Sequence, residues 1–369
     1  MINFHESYKS KNTIKYLERV VNKNSYLNNY FRSGVEEYLS DKFGYKNFLL
    51  THSATAALEI AAILSEHKGI KRVMLPSYTF SSTANAFLRS NTNIKFCDIH
   101  QKDFNIDLSR IKSIKGRDAL CLVHYANSSS EISYAKKLNF NILIEDAAQS
   151  FNAKYDNKLL GTFGDFGCIS FHPTKNIHSG FGGLFISKSK ADLERAKYIY
   201  ERGTDRSKVV AGLKNKYEWV STGSSFEMTE LSAAVLLSQL EDYEKIFNIR
   251  KEIYHSYLKG LSGLVELKHI EIQEISKRVS PNYHAFYILL RGNRNKFLEY
   301  MKNNGIQCYI GYVPLHSSKY GRSKGLDIKL PKTERYSKLI VRLPLHTGLS
   351  KNDVKKTVKK INNYFLYKL

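Results

Sequence analysis

Residues 48–64 read Phe-Leu-Leu-Thr-His-Ser-Ala-Thr-Ala-Ala-Leu-Glu-Ile-Ala-Ala-Ile-Leu. Residues 48–50 are a short apolar run of strand type, and Ala57, Leu58, Ala61 and Leu64 then recur at helical spacing. Between them stand Ser53, Ala54 and Thr55, small residues that close a strand and open a helix. The alternation continues outward. Apolar runs at 73–75, 94–99, 120–124 and 142–144 are each separated by a segment long enough for a helix. Strands alternating with helices predict an α/β fold with a largely parallel sheet covered on both faces. In such folds ligands sit at the carboxyl ends of the strands.

Between residues 163 and 186 the pattern changes. Residues 168–171 and 183–186 read as two strands joined by HPTKNIHSGFG, residues 172–182. One long helix is expected over 228–258, leading away from the sheet. The tail reads as a separate α/β unit, with a strand at 286–290 and a helix at 296–304 stopped by Gly305. A last helix starts at Ser350, with Asp353 placed as in a capping box and Val354, Val358, Ile361 and Phe365 on one face. The expected division is a large domain, 1–245, and a smaller C-terminal domain, 246–369.

The 369 residues carry 57 Lys and Arg against 34 Asp and Glu, a formal charge of +23. A strongly basic chain can bind nucleic acid. Here the lysines are spread along the whole chain, and no basic block interleaved with aromatics stands out, so no nucleic-acid partner is expected. The four cysteines, Cys97, Cys121, Cys168 and Cys308, form no C-x-x-C pair, which indicates neither a metal site nor a disulfide framework. The first residues, MINFHESYKSKN, lack the apolar core of a signal peptide. No run approaches the ~20 apolar residues of a membrane span. A cytoplasmic protein without a membrane partner is expected.

Four features gather near the strand ends. The small residues before Ala56 let a backbone approach a phosphate at a helix N-terminus, where free N–H groups and the positive dipole end point outward. Ser53 and Thr55 add hydroxyls, although alone they read as an ordinary helix cap. Asp146 ends the run Ile-Leu-Ile-Glu-Asp, and a carboxylate at the end of a buried strand is costly unless a cation pairs with it. It too could be no more than a helix cap, and Gln149, three residues on, a surface residue. Lys175 lies just past a strand in an apolar neighbourhood that would lower its pKa, with Gly180, Gly182 and Gly183 following. Phe80, in PSYTFSST, is a flat side chain able to cover a ring, though singly it reads as core. An amine for an imine, a carboxylate for a pyridine nitrogen, donors for a phosphate and a stacking ring are together what pyridoxal phosphate (PLP) chemistry requires.

The segments FLLTHSATAALEIA (48–61), LPSYTFSSTANAF (75–87), LVHYA (122–126), LIEDAAQS (143–150), GTFGDFGCISFHPTKN (161–176), RGTDRS (202–207), KYEWVSTGSSFEMTELSAA (216–234) and PLH (314–316) follow one another over nearly the whole chain. In this order they resemble the DegT/StrS-type family of sugar aminotransferases, which has the fold-type I PLP-dependent transferase architecture. RGTDRS and KYEW…GSSF look most like the members that aminate dTDP-4-keto-6-deoxyglucose at C4 with glutamate as donor. The resemblance implies Lys175 as Schiff-base lysine and Asp146 as partner of the pyridine nitrogen. It implies Gln149 at the ring hydroxyl, Ala54, Thr55 and Ser170 at the phosphate, and Phe80 on the ring. It further implies a homodimer with shared active sites, in which Ser225 reaches the partner's phosphate. Arg206, Lys216 and His316 are candidate contacts for the nucleotide sugar.

Some positions depart from the family. Many relatives have Asn at 225, Arg at 227 and a carboxylate at 181, where this chain has Ser225, Glu227 and Phe181. Asn24-Ser-Tyr-Leu-Asn-Asn-Tyr replaces a glycine-rich loop. The implied activity is two-stage amino transfer from L-glutamate, releasing 2-oxoglutarate, to a keto-deoxysugar nucleotide that supplies amino sugar for a surface glycan. Lys175 would move the proton in both stages. Amination at C3 and a non-catalytic PLP-binding regulator are the alternatives.

Overall fold

In the computed structural model, which describes residues 1–101 and 103–366, thirteen strands follow one another along the chain. They are β1 Phe48–Thr51, β2 Arg72–Pro76, β3 Asn93–Cys97, β4 Asp118–Val123, β5 Ile142–Asp146, β6 Lys154–Tyr155 and β7 Lys158–Leu159, then β8 Phe166–Ser170, β9 Gly183–Ser187, β10 Ile270–Ile272, β11 Val279–Ser280, β12 Phe286–Leu290 and β13 Ile340–Leu343. Seven of them form the central sheet, in the order β1-β9-β8-β5-β4-β2-β3. The five from β8 to β3 run parallel to one another. β9 is antiparallel to both β8 and β1.

Every residue of β4, β8 and β9 is buried, as expected of strands covered on both faces. Successive residues serve opposite cores. Phe185 packs with helix Ala54–His67 and Phe87 on one face. Leu184 and Ile186 pack with Phe31, Val35 and Leu236 on the other. Helix Ala54–His67 starts where Ser53 caps it by accepting from the Ala56 N–H at 3.1 Å. Its N-terminus lies so close to the sheet that a Cβ on Gly183 would collide with the backbone of Ser53 and Ala54.

The pairing register fixes the site before any side chain is considered. Val123 stands opposite Asp146, Asp146 opposite Cys168, Ser170 opposite Gly183, and Gly183 opposite Thr51. The carboxyl ends of β4, β5, β8 and β1 therefore meet along one edge, together with the start of β9.

A second, antiparallel sheet, β10-β12-β13, packs with helices Tyr243–Glu266 and Lys351–Leu366 around Ile253, Tyr257, Phe286, Ile288, Phe297 and Ile361. The capping box is present: Ser350 Oγ accepts from the Asp353 N–H at 3.1 Å, and Asp353 accepts from the Ser350 N–H at 2.9 Å. Cys97, Cys121 and Cys168 are buried free thiols. Among the described residues no helix is long and apolar enough to cross a membrane.

Three local expectations change. The helix expected over 228–258 is two, Glu230–Glu241 and Tyr243–Glu266, hinged at Asp242. Met228 is not helical, because its N–H donates to Leu50 O at 3.2 Å and Thr229 caps the helix that follows. Between β3 and β4 the described residues form only a 3-10 turn, Leu108–Arg110. There the Asp98 carboxylate draws in the Ile99 and Thr333 N–H groups at 3.0 and 2.8 Å and holds an irregular path. Between β4 and β5 there is one turn of helix, Ile132–Ala135. Ser129 and Ser130 hydroxyls bond backbone carbonyls just before it and compete with helix formation.

Candidate active site

A cavity of about 480 Å³ opens at the converging strand ends. Ala54, Thr55, Phe80, Asp146, Gln149, Ser170 and Lys175 all line it.

Asp146 is buried at the end of β5. Its Oδ2 accepts from Thr83 Oγ1 at 2.6 Å and its Oδ1 from the Ala148 N–H at 3.2 Å. Burial raises its pKa, and the Thr83 hydroxyl, the Ala148 amide and the positive charge of Lys175 oppose that rise. A charged N–H donor in the cavity would tip the balance to the carboxylate. Beside it, Glu145 and His124 are both fully buried and meet at 2.9 Å. Glu145 also accepts three backbone N–H groups, from Gly161, Phe163 and Gly164, at 2.6–2.8 Å. That network clamps β5 to the loop before β8 and so fixes the position of Asp146.

Lys175 sits on the excursion between β8 and β9. The Phe171 N–H donates to Gly182 O at 2.8 Å and the Ser179 N–H to Phe171 O at 2.9 Å, closing the loop at its base. Asn176 donates to Asn282 O at 2.6 Å, tying the loop to the segment before β12. Burial depresses the Lys175 pKa to about 8; Asp146 works against that shift and Arg342 adds to it. At neutral pH a useful fraction of the amine is therefore unprotonated and nucleophilic.

Ala54 and Thr55 open their helix with first-turn amides directed outward, and Thr55 Oγ1 meets Ser82 Oγ at 2.8 Å. Gln149 accepts from the Ala126 N–H and donates to Tyr312 Oη, both at 2.8 Å. Phe80 is largely exposed at the cavity wall, with Tyr312 6.2 Å away between ring centroids.

Other expected contacts lie elsewhere. Ser225 is exposed outside the cavity lining and accepts from Arg202 Nη2 at 2.8 Å. Arg202 also pairs with Glu227 at 2.9 Å, so the departure at 227 is matched by a local cation. Arg206 and Lys216 are exposed on the segment after it and do not line the cavity. His316 does not reach the cavity: it is buried, with Nδ1 2.6 Å from Ser77 Oγ and Nε2 3.5 Å from Glu334. It fastens the 312–316 segment to the end of β2.

Sequence reasoning missed Thr83, Tyr312, His284, Arg250 and Arg342, all of which line the cavity. Thr83 was discoverable, since it lies three residues past Phe80 on the face that a helix start would present.

A parallel sheet whose carboxyl edge joins a desolvated lysine, a buried carboxylate and an anion-ready helix N-terminus defines a PLP-dependent enzyme of fold-type I. The groups present fit the cofactor: the amine for its aldehyde, Asp146 for its ring nitrogen, the first turn at 54–55 for its phosphate. The chain belongs to the DegT/DnrJ/EryC1/StrS aminotransferase family, whose model matches residues 7–362. It is similar to the GDP-perosamine synthase of Vibrio cholerae, 24% identical over 93% of this chain and 96% of that one. It is similar also to the UDP-4-amino-4,6-dideoxy-N-acetyl-beta-L-altrosamine transaminase of a Campylobacter jejuni strain, 26% identical over 87% and 86%. The sugar aminotransferase CalS13 from Micromonospora echinospora shares the fold, with a TM-score of 0.90 at 20% identity, covering 98% of this chain and 100% of that one.

Proposed function

We propose that the protein transfers the amino group of L-glutamate to a nucleotide-linked keto-deoxysugar in the cytoplasm, with dTDP-4-keto-6-deoxyglucose aminated at C4, to supply an amino sugar for a surface glycan. The observation that carries this reading is the meeting of Lys175 and Asp146 in one cavity. The names of the two relatives above, both bearing amino-sugar nucleotides, support the substrate class.

Bound PLP supplies a sink for the electrons left when a carbon beside nitrogen loses its proton. Asp146 would keep the ring nitrogen protonated, Gln149 would meet the ring hydroxyl, and Phe80 would cover one face. Ala54, Thr55 and Ser170 would hold the phosphate. The Lys175 amine is placed to take the proton from the donor α-carbon and return it two atoms along, on the far side of the nitrogen. The same residues then serve the keto-sugar in reverse order, after 2-oxoglutarate has left. The protein works as a homodimer, with Ser225 serving the partner's phosphate, and Arg206 and Lys216 meeting the sugar nucleotide. Val210, Leu213 and Trp219, 76%, 75% and 83% exposed on that same segment, support a covered surface there. We also divide the chain at 245/246, a proposal supported by the separate sheet and core of the C-terminal part.

The test is incubation with PLP, glutamate and 3-keto or 4-keto sugars carried on dTDP, UDP or GDP, with products identified by mass and NMR. The expected product is the C4 amine of the dTDP sugar. A C3 amine would move the chemistry, and cofactor binding without amino transfer to any sugar would make the protein a regulator.

Reconstitution gives a second expected result. Only the neutral amine attacks the aldehyde, and its pKa is lowered. The rate of PLP uptake by cofactor-free protein should therefore rise with pH around a midpoint near 8, well below that of an ordinary lysine. The absorbance change on PLP addition, followed from pH 6 to 10, measures it. A midpoint above 10 would mean that the amine is solvated.

A further inference from the structure

His284 lines the cavity and takes no part in the chemistry described so far. It is 6% exposed and stands two residues before β12. Its backbone is held by Arg250, whose Nε and Nη2 donate to the carbonyls of Tyr283 and His284 at 3.0 and 2.6 Å. Its ring is held by a chain of side-chain amides. His284 Nδ1 lies 3.0 Å from Asn176 Oδ1, and Asn176 Nδ2 donates to Asn282 O at 2.6 Å. Asn282 Nδ2 then donates to the carbonyls of Gln149 and Phe151 at 2.9 and 3.1 Å.

That chain sets the tautomer. The Asn282 carbonyl can only accept, so it takes an N–H of the Asn176 amide and leaves Oδ1 for the ring. Oδ1 in turn can only accept, so Nδ1 carries the hydrogen. Burial, and after it the charges of Lys175 and Arg342, hold the ring well below the ordinary histidine range, and it is neutral at pH 7. Nε2 is therefore a bare lone pair. It has no hydrogen-bond partner among the described residues, on a buried ring that borders the cavity. A buried acceptor left unpaired is costly, and a donor on a bound ligand would satisfy it.

We infer that His284 Nε2 accepts a hydrogen bond from the hydroxyl on the carbon next to the carbonyl of the sugar substrate. This rests on the keto-sugar reading above and adds to it a group that selects the sugar. The donor follows by elimination. Glutamate and 2-oxoglutarate offer carboxylates, which at neutral pH only accept and would repel a bare lone pair. The amino nitrogen of glutamate is taken up where the Lys175 amine stands. The cofactor's phosphate offers acceptors, and its ring N–H is matched by Asp146. Sugar hydroxyls are the donors that remain. Which hydroxyl follows from Lys175, whose charge is felt at the His284 ring. The carbonyl carbon must come to the position of that amine, so the hydroxyl one carbon away is the one brought to Nε2. A site built to pair a hydroxyl rejects an analogue lacking it, because the acceptor is then left unpaired.

The test compares PLP-loaded wild type, His284→Asn and His284→Gln. Asparagine keeps a short N–H for Asn176 and removes the acceptor. Glutamine reaches as far as Nε2 and returns a carbonyl oxygen there. Calorimetry without an amino donor, when the sugar cannot be aminated, gives the affinity for dTDP-4-keto-6-deoxyglucose and for its 3-deoxy analogue. Wild type should bind the analogue about 5- to 20-fold more weakly than the parent sugar. His284→Asn should bind the parent sugar more weakly by the same factor and should distinguish the two by less than about 2-fold. His284→Gln should recover to within about 3-fold of wild type, and single-turnover conversion with glutamate should change by less than about 3-fold in both variants. Wild type that binds the two sugars alike overturns the inference, whatever the variants do. So does unchanged sugar affinity in His284→Asn, which would leave Nε2 to a bound water, or a loss there that is equal for both sugars, which would make the role structural. If wild type converts its cofactor with glutamate yet neither binds nor aminates a keto-sugar, the keto-sugar reading falls and takes the acceptor with it.

Discussion

Lys175→Ala should retain its fold and lose amino transfer by roughly 10⁴-fold, the upper end of what one positioned acid–base group contributes. The loss is large because one nitrogen serves twice, as the attachment point for PLP and as the carrier of the proton. The fold should survive because this lysine is a liability to it. Burial holds its pKa near 8, so at pH 7 the folded chain carries a desolvated cation that the unfolded chain solvates freely. Removing it should leave the melting temperature unchanged or raise it. Three measurements check the prediction: turnover, borohydride fixation of PLP to the chain, and thermal unfolding. The variant should show no covalently fixed cofactor. A variant that still fixes PLP, or that keeps a tenth of wild-type turnover, would place the chemistry at another amine.

The strand–helix alternation was legible because buried parallel strands give short, continuous apolar runs with small residues at their ends. Chain direction was not. β9 is buried like its neighbours yet runs antiparallel to both of them, and a strand hidden on both faces has the same composition either way. The break at Asp242 was hidden because both helices around it bury apolar stripes, so the pattern continues through the hinge. Irregular segments at 98–101, 103–117 and 124–141 owe their paths to Asp98, Ser129 and Ser130 bonding to backbone, which no periodicity reveals.

In the site, residues at strand ends or helix starts were readable, since those are the positions that face the carboxyl edge. Arg250 and Arg342 were not. An arginine within a long amphipathic helix reads as solvent-facing, and one in Ile-Val-Arg-Leu reads as the outward member of an alternating strand. Only the packing of Tyr287, Leu289 and Ile340 of the small sheet against Tyr78, Phe104 and Tyr125, past the strand ends of the large one, brings that sheet to the cavity both arginines line. His316 shows the converse. Its neighbours Pro314 and Leu315 carry a recognisable motif, yet the side chain is spent on Ser77 beneath the loop.

Asp146→Asn should lower turnover by about 10²- to 10³-fold, the scale on which one preorganised electrostatic partner acts, with little change in fold. The substitution separates two roles that geometry alone leaves superposed. Asp146 accepts from the Ala148 N–H as a turn-capping residue does, and from Thr83, whose hydroxyl also meets Thr79 Oγ1 at 2.8 Å. Asparagine caps a helix about as well as aspartate, and its one carbonyl oxygen can keep the Ala148 bond. The Thr83 hydroxyl can turn to accept from the new amide. What asparagine cannot supply is a negative charge in a site where burial already presses the carboxyl towards its neutral form. If the carboxylate is there to hold a protonated ring nitrogen, removing its charge weakens the electron sink at every proton transfer. Both half-reactions should then slow together while glutamate affinity holds. Single-turnover rates with glutamate and with the keto-sugar measure this directly. If Asp146 is only a cap, the variant will run within a few-fold of wild type in both, and the electrostatic role assigned to it is lost.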